Sequence, residues 1–204
     1  MSHRNVKLKD SQHGFTLVEM LITIALLAIL IIIFYSGLNS LTNQYTQTQK
    51  QAGQFSDLSL SSQRIANVVR GATDFVSVGP NDMTIYAYFY PSNQYVSQVR
   101  YYLSPTKTEL LADVTPLTAN PPSGSLIAAD KKTYTIIPNY YKISGTDLFE
   151  YLDASGNKLN LPVSDQHIIK GVNISLSVPK SEPTKDGSQD IVLNVSLRNR
   201  KTNL

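Results

Sequence analysis

Glu19 is the one charged residue in an apolar run that extends over residues 15–35. In a membrane, a carboxylate at the bilayer centre costs about 2.5–3.5 kcal/mol, and less near the interface. The position of Glu19 leaves two interpretations open. Its side chain reaches the lipid headgroups at little cost, or it pairs with a cation that another chain supplies.

Residues that commonly perform catalysis are sparse in this chain of 204 residues. It has no cysteine, which excludes disulfides, thiolate metal sites and cysteine nucleophiles. Of its three histidines, His3 and His13 lie in the polar N-terminal segment and only His167 lies beyond it. We therefore expect neither a Ser-His-Asp set nor a histidine pair for zinc, and we interpret His167 as a surface residue.

Three acidic residues, Asp147, Glu150 and Asp153, lie close together in the sequence. Side chains alternate in direction along a strand, which disfavours a catalytic carboxylate pair among them. A net charge of +3 without a long basic block is weak evidence for nucleic-acid binding. The chain is therefore not expected to be an enzyme, and DNA is left open as a partner.

Two segments, residues 153–157 and 186–190, hold several oxygen ligands each. Calcium binding is an alternative for both, but each lacks the dense carboxylate series of an EF-hand loop. Asp, Ser, Gly and Asn are typical turn residues, and we favour that interpretation. No cofactor is predicted, with structural calcium as the alternative.

Tyrosine is abundant, with 12 residues. Tyrosines are enriched in strands and at interfaces alike. We favour strand packing for most members of the densest group, which comprises Tyr86, Tyr88, Tyr90, Tyr101, Tyr102, Tyr140 and Tyr141.

The apolar run over residues 15–35 is 21 residues long. As a helix it would span about 30 Å, the thickness of the hydrocarbon core of a bilayer. A soluble domain of this size rarely needs a helix that is apolar on every face, and a cleaved secretory signal needs a shorter run with a small-residue cleavage site. The run therefore predicts a retained transmembrane helix.

Basic residues indicate the orientation of this helix. Arg4, Lys7 and Lys9 precede the run, and the next basic residue is Lys50. The positive-inside rule then places the N-terminus in the cytoplasm and the rest of the chain outside the cytoplasmic (inner) membrane.

The residues before and within the run form a specific motif. A basic leader ends in Gly14, Phe15 follows, and Glu19 is the fifth residue after the glycine. This motif resembles the class III signal of type IV prepilins and type II secretion pseudoprepilins. The resemblance implies that a prepilin peptidase cuts between Gly14 and Phe15 and N-methylates the new amine of Phe15. It also implies that Glu19 pairs with the N-terminal amine of a neighbouring subunit.

The expected fold is α+β and pilin-like, with a long N-terminal helix packed on antiparallel sheet. Residues 1–14 are the leader, 15–35 the transmembrane part of the helix, 36–71 its extracytoplasmic half, and 72–204 an antiparallel β domain. Gly71 is the predicted helix stop. Helical spacing predicts one apolar face with Leu38, Leu41, Tyr45, Ala52, Phe55, Leu58, Ile65 and Val69. Period-two patterns predict strands at 75–78, 83–90, 95–103, 109–112, 134–137, 148–152, 168–178 and 190–198.

The sequence predicts the structure of two connecting segments. Residues 115–129 contain prolines and glycine and are predicted to form an exposed loop, and residues 179–189 a mobile hairpin tip.

The order of the strand segments resembles minor pilins of the PilW type and J-type minor pseudopilins. This resemblance implies a minor pilin or pseudopilin that enters or primes a filament, with prepilin peptidase, other pilin subunits, the inner-membrane assembly platform and the lipid bilayer as partners. The alternative is a membrane-tethered module whose outer domain binds DNA or another ligand. A tether alone would need neither Gly14 nor Glu19, which favours the first hypothesis.

Overall fold

A computed structural model describes residues 16–141, 145–179 and 187–198. The chain divides into two compact units, Met1–Thr48 and Gln49–Leu204. Helix α1, Leu17–Arg70, runs through the first unit and contributes its last 22 residues, 49–70, to the second. The predicted α+β, pilin-like fold is confirmed.

Helix α1 begins two residues later than the predicted start and ends where the sequence predicts. No proline interrupts it. At its end, the Gly71 amide donates to the Asn67 carbonyl at 3.2 Å, and the Ala72 amide to the Val69 carbonyl at 3.0 Å. The second bond spans three residues, so the last turn tightens as the helix terminates.

The predicted apolar face of α1 is only partly buried. Leu58, Ile65 and Val69 are at most 2% exposed. This face extends beyond the buried stretch of the helix, because its other members, Leu38, Leu41, Tyr45, Ala52 and Phe55, are exposed.

Eight antiparallel strands follow α1, and each overlaps one predicted segment. The strands are β1 Asp74–Val78, β2 Asp82–Ala87, β3 Ser97–Leu103, β4 Leu110–Pro116, β5 Lys132–Ile137, β6 Phe149–Leu152, β7 Gly171–Pro179 and β8 Ser188–Ser196. They form two sheets rather than one, with strand orders β1-β2-β3-β4-β5 and β6-β7-β8, so that within each sheet the strands that are consecutive in sequence are neighbours.

Two of the predicted segments need correction. Residues 115–129 are not all loop, because β4 continues to Pro116, Leu117 bridges Leu126, and a 3₁₀ turn covers Ala128–Asp130. The start of the seventh predicted strand is instead the 3₁₀ turn Gln166–Ile168. Residues 180–186 of the predicted hairpin tip lie outside the described residues.

The buried core of the second unit lies where α1 and both sheets meet, and it includes Ile65, Tyr101 and Tyr151. The Tyr151 hydroxyl donates to the Gly79 carbonyl at 3.0 Å, which joins β6 to the turn between β1 and β2. At the other end, the Arg198 amide donates to the Arg70 carbonyl at 3.0 Å. One of the carbonyls that every helix leaves unpaired at its C-terminus is thereby satisfied.

Asp113 is a buried carboxylate on β4, between β3 and β5 of the five-stranded sheet. It accepts hydrogen bonds from Tyr102 on β3, at 3.2 Å, and from Thr133 on β5, at 2.6 Å, and the Lys131 ammonium lies 2.8 Å away. Burial opposes ionisation, but the hydrogen bonds from Lys131 and Thr133 outweigh it and hold the pKa of Asp113 below its usual range. The carboxylate therefore links three strands in its charged form.

Replacing Asp113 by asparagine is expected to lower the free energy of unfolding by about 1.5–3 kcal/mol, the usual value of a hydrogen bond to a charged group. Because the folded pKa is lower than the unfolded one, the contribution of Asp113 is complete above about pH 4 and is lost as the pH falls through the folded pKa. Urea unfolding of the detergent-solubilised chain across this pH range measures both effects.

The matched control is Asp82→Asn. The Asp82 carboxylate lies 3.7 Å from Arg100, and both side chains are about half exposed. An exposed ion pair contributes at most about 1 kcal/mol, so this variant should lose less stability. Equal losses in the two variants would contradict the role assigned to Asp113.

Candidate processing and assembly site

Thr16 and Glu19 form a reciprocal set of hydrogen bonds at the start of α1. The Thr16 amide and the Thr16 hydroxyl each donate to Glu19 Oε2 at 2.9 Å. In return, the Glu19 amide donates to the Thr16 hydroxyl oxygen at 3.3 Å. Thr16 immediately precedes the helix and Glu19 is its third residue, which is the geometry of a capping box.

This arrangement adds an intrachain partner for Glu19 that the sequence analysis missed. The signal was present, because a threonine followed three residues later by glutamate, ahead of an apolar run, is the capping-box pattern. One oxygen of the carboxylate is satisfied within its own chain, and the negative charge lies at the positive end of the helix dipole, which stabilises it.

The second carboxylate oxygen of Glu19 has room for a further donor. Both bonds from Thr16 reach Oε2, and no residue in the described part of the chain donates to Oε1. Within that part, Glu19 also forms no ion pair. The group can therefore hold the helix start and accept a proton donor from another molecule at the same time.

Gly14 and Phe15, the predicted cleavage and methylation residues, lie outside the described residues, which begin at Thr16. The Thr16 nitrogen belongs to the peptide bond with residue 15. Because Glu19 binds that nitrogen, its carboxylate lies one residue from the predicted new N-terminus.

The helix that carries Glu19 is long and apolar enough to cross a membrane. Its large apolar side chains between Leu17 and Tyr35 are each 54–77% exposed. In water such a surface is costly, at about 25 cal/mol for each Å² of apolar area. This segment therefore fits membrane anchoring.

The other acidic candidates form a surface ion-pair network. Lys158 lies 2.7 Å from Glu150 and 3.5 Å from Asp147, so these two carboxylates converge on one ammonium. The strand-alternation argument did not apply to Asp147, because β6 begins only at Phe149. The hydrogen bond from Lys158 holds the pKa of Glu150 below its usual value, which does not favour a general acid.

The remaining sequence candidates are turn and surface residues. Asp153 accepts hydrogen bonds from the amides of Ser155, at 2.8 Å, and Asn157, at 2.9 Å. His167 is exposed in a 3₁₀ turn, and its amide donates to Asp165. The described residues contain no group of three or more His, Cys, Asp or Glu side chains placed to hold a metal ion. Asp186, from the second calcium alternative, lies outside them.

Residues 9–35 match the family model of the prokaryotic N-terminal methylation motif. This match covers the N-terminal segment alone and does not extend to the sheets. No curated protein matches the chain. The motif implies processing by prepilin peptidase and assembly with other pilin-like subunits. The chain thus carries the N-terminal methylation motif of prokaryotic prepilin-type proteins, and the motif indicates a type IV pilin-like protein.

Proposed function

We propose that this chain is a minor pilin or pseudopilin, a structural subunit that assembles into or primes a type IV pilus-like or type II secretion filament. The observation that carries the proposal is the methylation motif at residues 9–35, which ends within the helix that Thr16 and Glu19 begin. Such a subunit acts by assembly and is not an enzyme.

Processing supplies the charge on which assembly depends. Hydrolysis of the peptide bond between Gly14 and Phe15 releases residues 1–14 and leaves an α-amine on Phe15. Such an amine has a pKa near 8 and is mostly an ammonium at neutral pH, and a single N-methyl group preserves that charge. Because cleavage precedes the apolar run, the mature chain keeps its membrane anchor.

Glu19 then aligns neighbouring subunits. Its free Oε1 accepts the ammonium of an adjacent chain while Oε2 remains bonded to Thr16. An ion pair in a low-dielectric environment depends strongly on geometry, so it fixes the axial register between helices. Before assembly, the capping box keeps the carboxylate partly satisfied in the membrane.

The proposed membrane topology is based on the distribution of basic and apolar residues along the chain. Residues 15–35 span the cytoplasmic membrane with the N-terminus in the cytoplasm, 36–71 continue as extracytoplasmic helix, and 72–204 form the outer β domain. Major pilins typically carry a proline just after the apolar run, whereas this chain has Ser36 and Gly37 there. That difference and the order of the strand segments support a minor subunit.

The proposal predicts the N-terminus of the protein in native membranes. Intact-mass and N-terminal peptide measurements should find a chain that begins at Phe15 and carries one methyl group on its amine. In cells that lack the prepilin peptidase gene, the protein should retain residues 1–14 and begin at Met1. A chain that retains residues 1–14 in cells with active peptidase would overturn the proposal.

A further inference from the structure

A cleft lies in the second unit, between the C-terminal part of α1 and the segment that connects β2 to β3. Its volume is about 880 Å³, within the range of small-molecule sites. Its polar and aromatic lining includes Gln63, Arg64, Asn67, Tyr88, Tyr90 and Asn93. We name it the Arg64 cleft.

The helical wall of the Arg64 cleft is a single stripe of α1. Gln63, Arg64 and Asn67 are spaced three and four residues apart, so their side chains share one face. The opposite face of the helix is buried in the core through Ile65 and Val69. The buried face holds the helix in place, and the cleft residues are exposed.

The second wall is an aromatic platform. Phe89 packs edge-to-face on Tyr90, with ring centroids 4.9 Å apart, and lies 5.1 Å from Tyr134. The Asn93 amide donates to the Tyr90 carbonyl at 3.1 Å, which closes a turn through Pro91. Tyr88 and Tyr90 remain about 40% exposed, unlike the strand tyrosine Tyr101, which is buried. The sequence analysis favours strand packing for most of the tyrosines, and Tyr88 and Tyr90 lie outside the strands.

Arg64 lies across this platform. Its guanidinium carbon is 4.6 Å from the Phe89 ring centroid and 5.5 Å from that of Tyr90. Stacking occupies the face of the guanidinium and leaves N–H donors along its edge. Within the described residues, Arg64 forms no ion pair, and no acidic side chain lines the cleft. A fixed cation is thus available to an anionic ligand.

The uncharged side chains of the cleft indicate which other groups the ligand carries. Gln63 and Asn93 each carry amide donors and an acceptor, the pattern that a hydroxyl group complements. Asn67 adds amide donors, because its oxygen already accepts from Arg70 at 3.3 Å. The Tyr90 hydroxyl oxygen accepts hydrogen bonds from Tyr134 and Arg64, which hold its pKa below its usual value and leave its proton to be donated to a ligand oxygen. The exposed rings offer flat apolar faces.

We propose that the Arg64 cleft binds an acidic sugar residue of a glycan, with its carboxylate on the Arg64 guanidinium and its hydroxyls on the amide side chains. A single-stranded nucleic acid could also stack on the tyrosines. It carries a phosphate on every nucleotide, however, and its affinity depends on several cationic contacts. One arginine in the cleft matches one carboxylate better.

Titration calorimetry of the full-length chain in detergent tests this proposal. The probes are sialyllactose and oligomers of galacturonate, guluronate and hyaluronate, with lactose as the neutral counterpart of sialyllactose and oligothymidylate as the nucleic-acid probe. At least one acidic glycan should bind, and lactose and oligothymidylate should bind much more weakly. Failure of every acidic glycan, equal binding of lactose, or preferred binding of oligothymidylate would overturn the proposal.

Matched variants locate the binding. Arg64→Gln should weaken the affinity at least about tenfold, as expected for the loss of a charge-assisted hydrogen bond. Arg100→Gln is the control, because Arg100 also stacks on a tyrosine, 4.8 Å from the Tyr102 centroid, but does not line the cleft. The affinity of the Arg100→Gln variant for the acidic glycan should equal that of the wild type.

Gln63→Ala provides a second cleft variant at an exposed helical position, where alanine preserves the helix. It should also weaken binding while the far-ultraviolet circular dichroism stays unchanged. Equal affinities for wild type, Arg64→Gln and Gln63→Ala would exclude the Arg64 cleft as the site. Filament assembly is a separate readout and should not depend on either residue.

Discussion

A Gly14→Val chain is expected to accumulate in the membrane as the uncleaved precursor. The glycine before the proposed cleavage point has no Cβ, so its backbone can approach the peptidase closely and adopt unusual dihedral angles. The β-branched side chain of valine restricts the backbone angles and prevents the close approach to the peptidase. Because small misplacement of a reacting bond can cost about a hundredfold in rate, we expect processing to fall by at least about that factor. Immunoblots of membranes should show only the slower-migrating species.

Gly37→Val is the matched control for this experiment. Gly37 lies within α1, and a Cβ added there meets no atom within 4 Å. It lies well beyond the proposed cleavage point, so processing should proceed normally. If Gly14→Val were processed at the wild-type rate, cleavage after Gly14 would be wrong.

The second large effect is expected for Glu19→Gln. Glutamine also serves in a capping box, so this variant keeps the helix start while removing the negative charge. The chain should still be cleaved and methylated. Removing one partner of a buried ion pair costs about 3–5 kcal/mol, so incorporation into filaments should fall at least about a hundredfold. The measured quantity is the ratio of subunit in the sheared filament fraction to subunit in the membrane.

Thr16→Val separates the charge from the cap. It removes the hydroxyl that bonds to Glu19, at a cost of about 1 kcal/mol for a lost N-cap, and keeps the carboxylate. Assembly of the processed fraction should therefore decrease much less than in Glu19→Gln. Wild-type assembly of Glu19→Gln would exclude the charge pairing, and equal defects in both variants would assign the effect to the cap.

The elements of this fold were largely predictable, whereas their grouping was not. The absence of proline predicted that α1 continues beyond the apolar run, and Gly71 predicted where it ends. All eight strands overlap segments with a period of two. Period two identifies a strand but not its partner, so the division into two sheets was missed. Helical spacing likewise identified an apolar stripe without showing that burial begins only near Leu58.

The site was predictable where the chemistry is local in sequence. Glu19 was identified by its charge, and Thr16 was within reach of the capping-box pattern three residues away. Lys158 lies eight residues from Glu150 across a turn, and Arg64 meets Tyr90 from another part of the chain. Such contacts depend on tertiary packing, which a single sequence does not encode in a readable pattern.

The meander order of the strands bears on the order in which the β domain can fold. Every strand pairs only with its sequence neighbours, so each sheet can grow strand by strand along the chain, with little loop-closure entropy. The bond from the Arg198 amide to the Arg70 carbonyl can form only after β8 has joined its sheet. A chain that has not reached that point presents an open sheet edge at β7, which makes the last steps of folding the stage most exposed to aggregation and proteolysis.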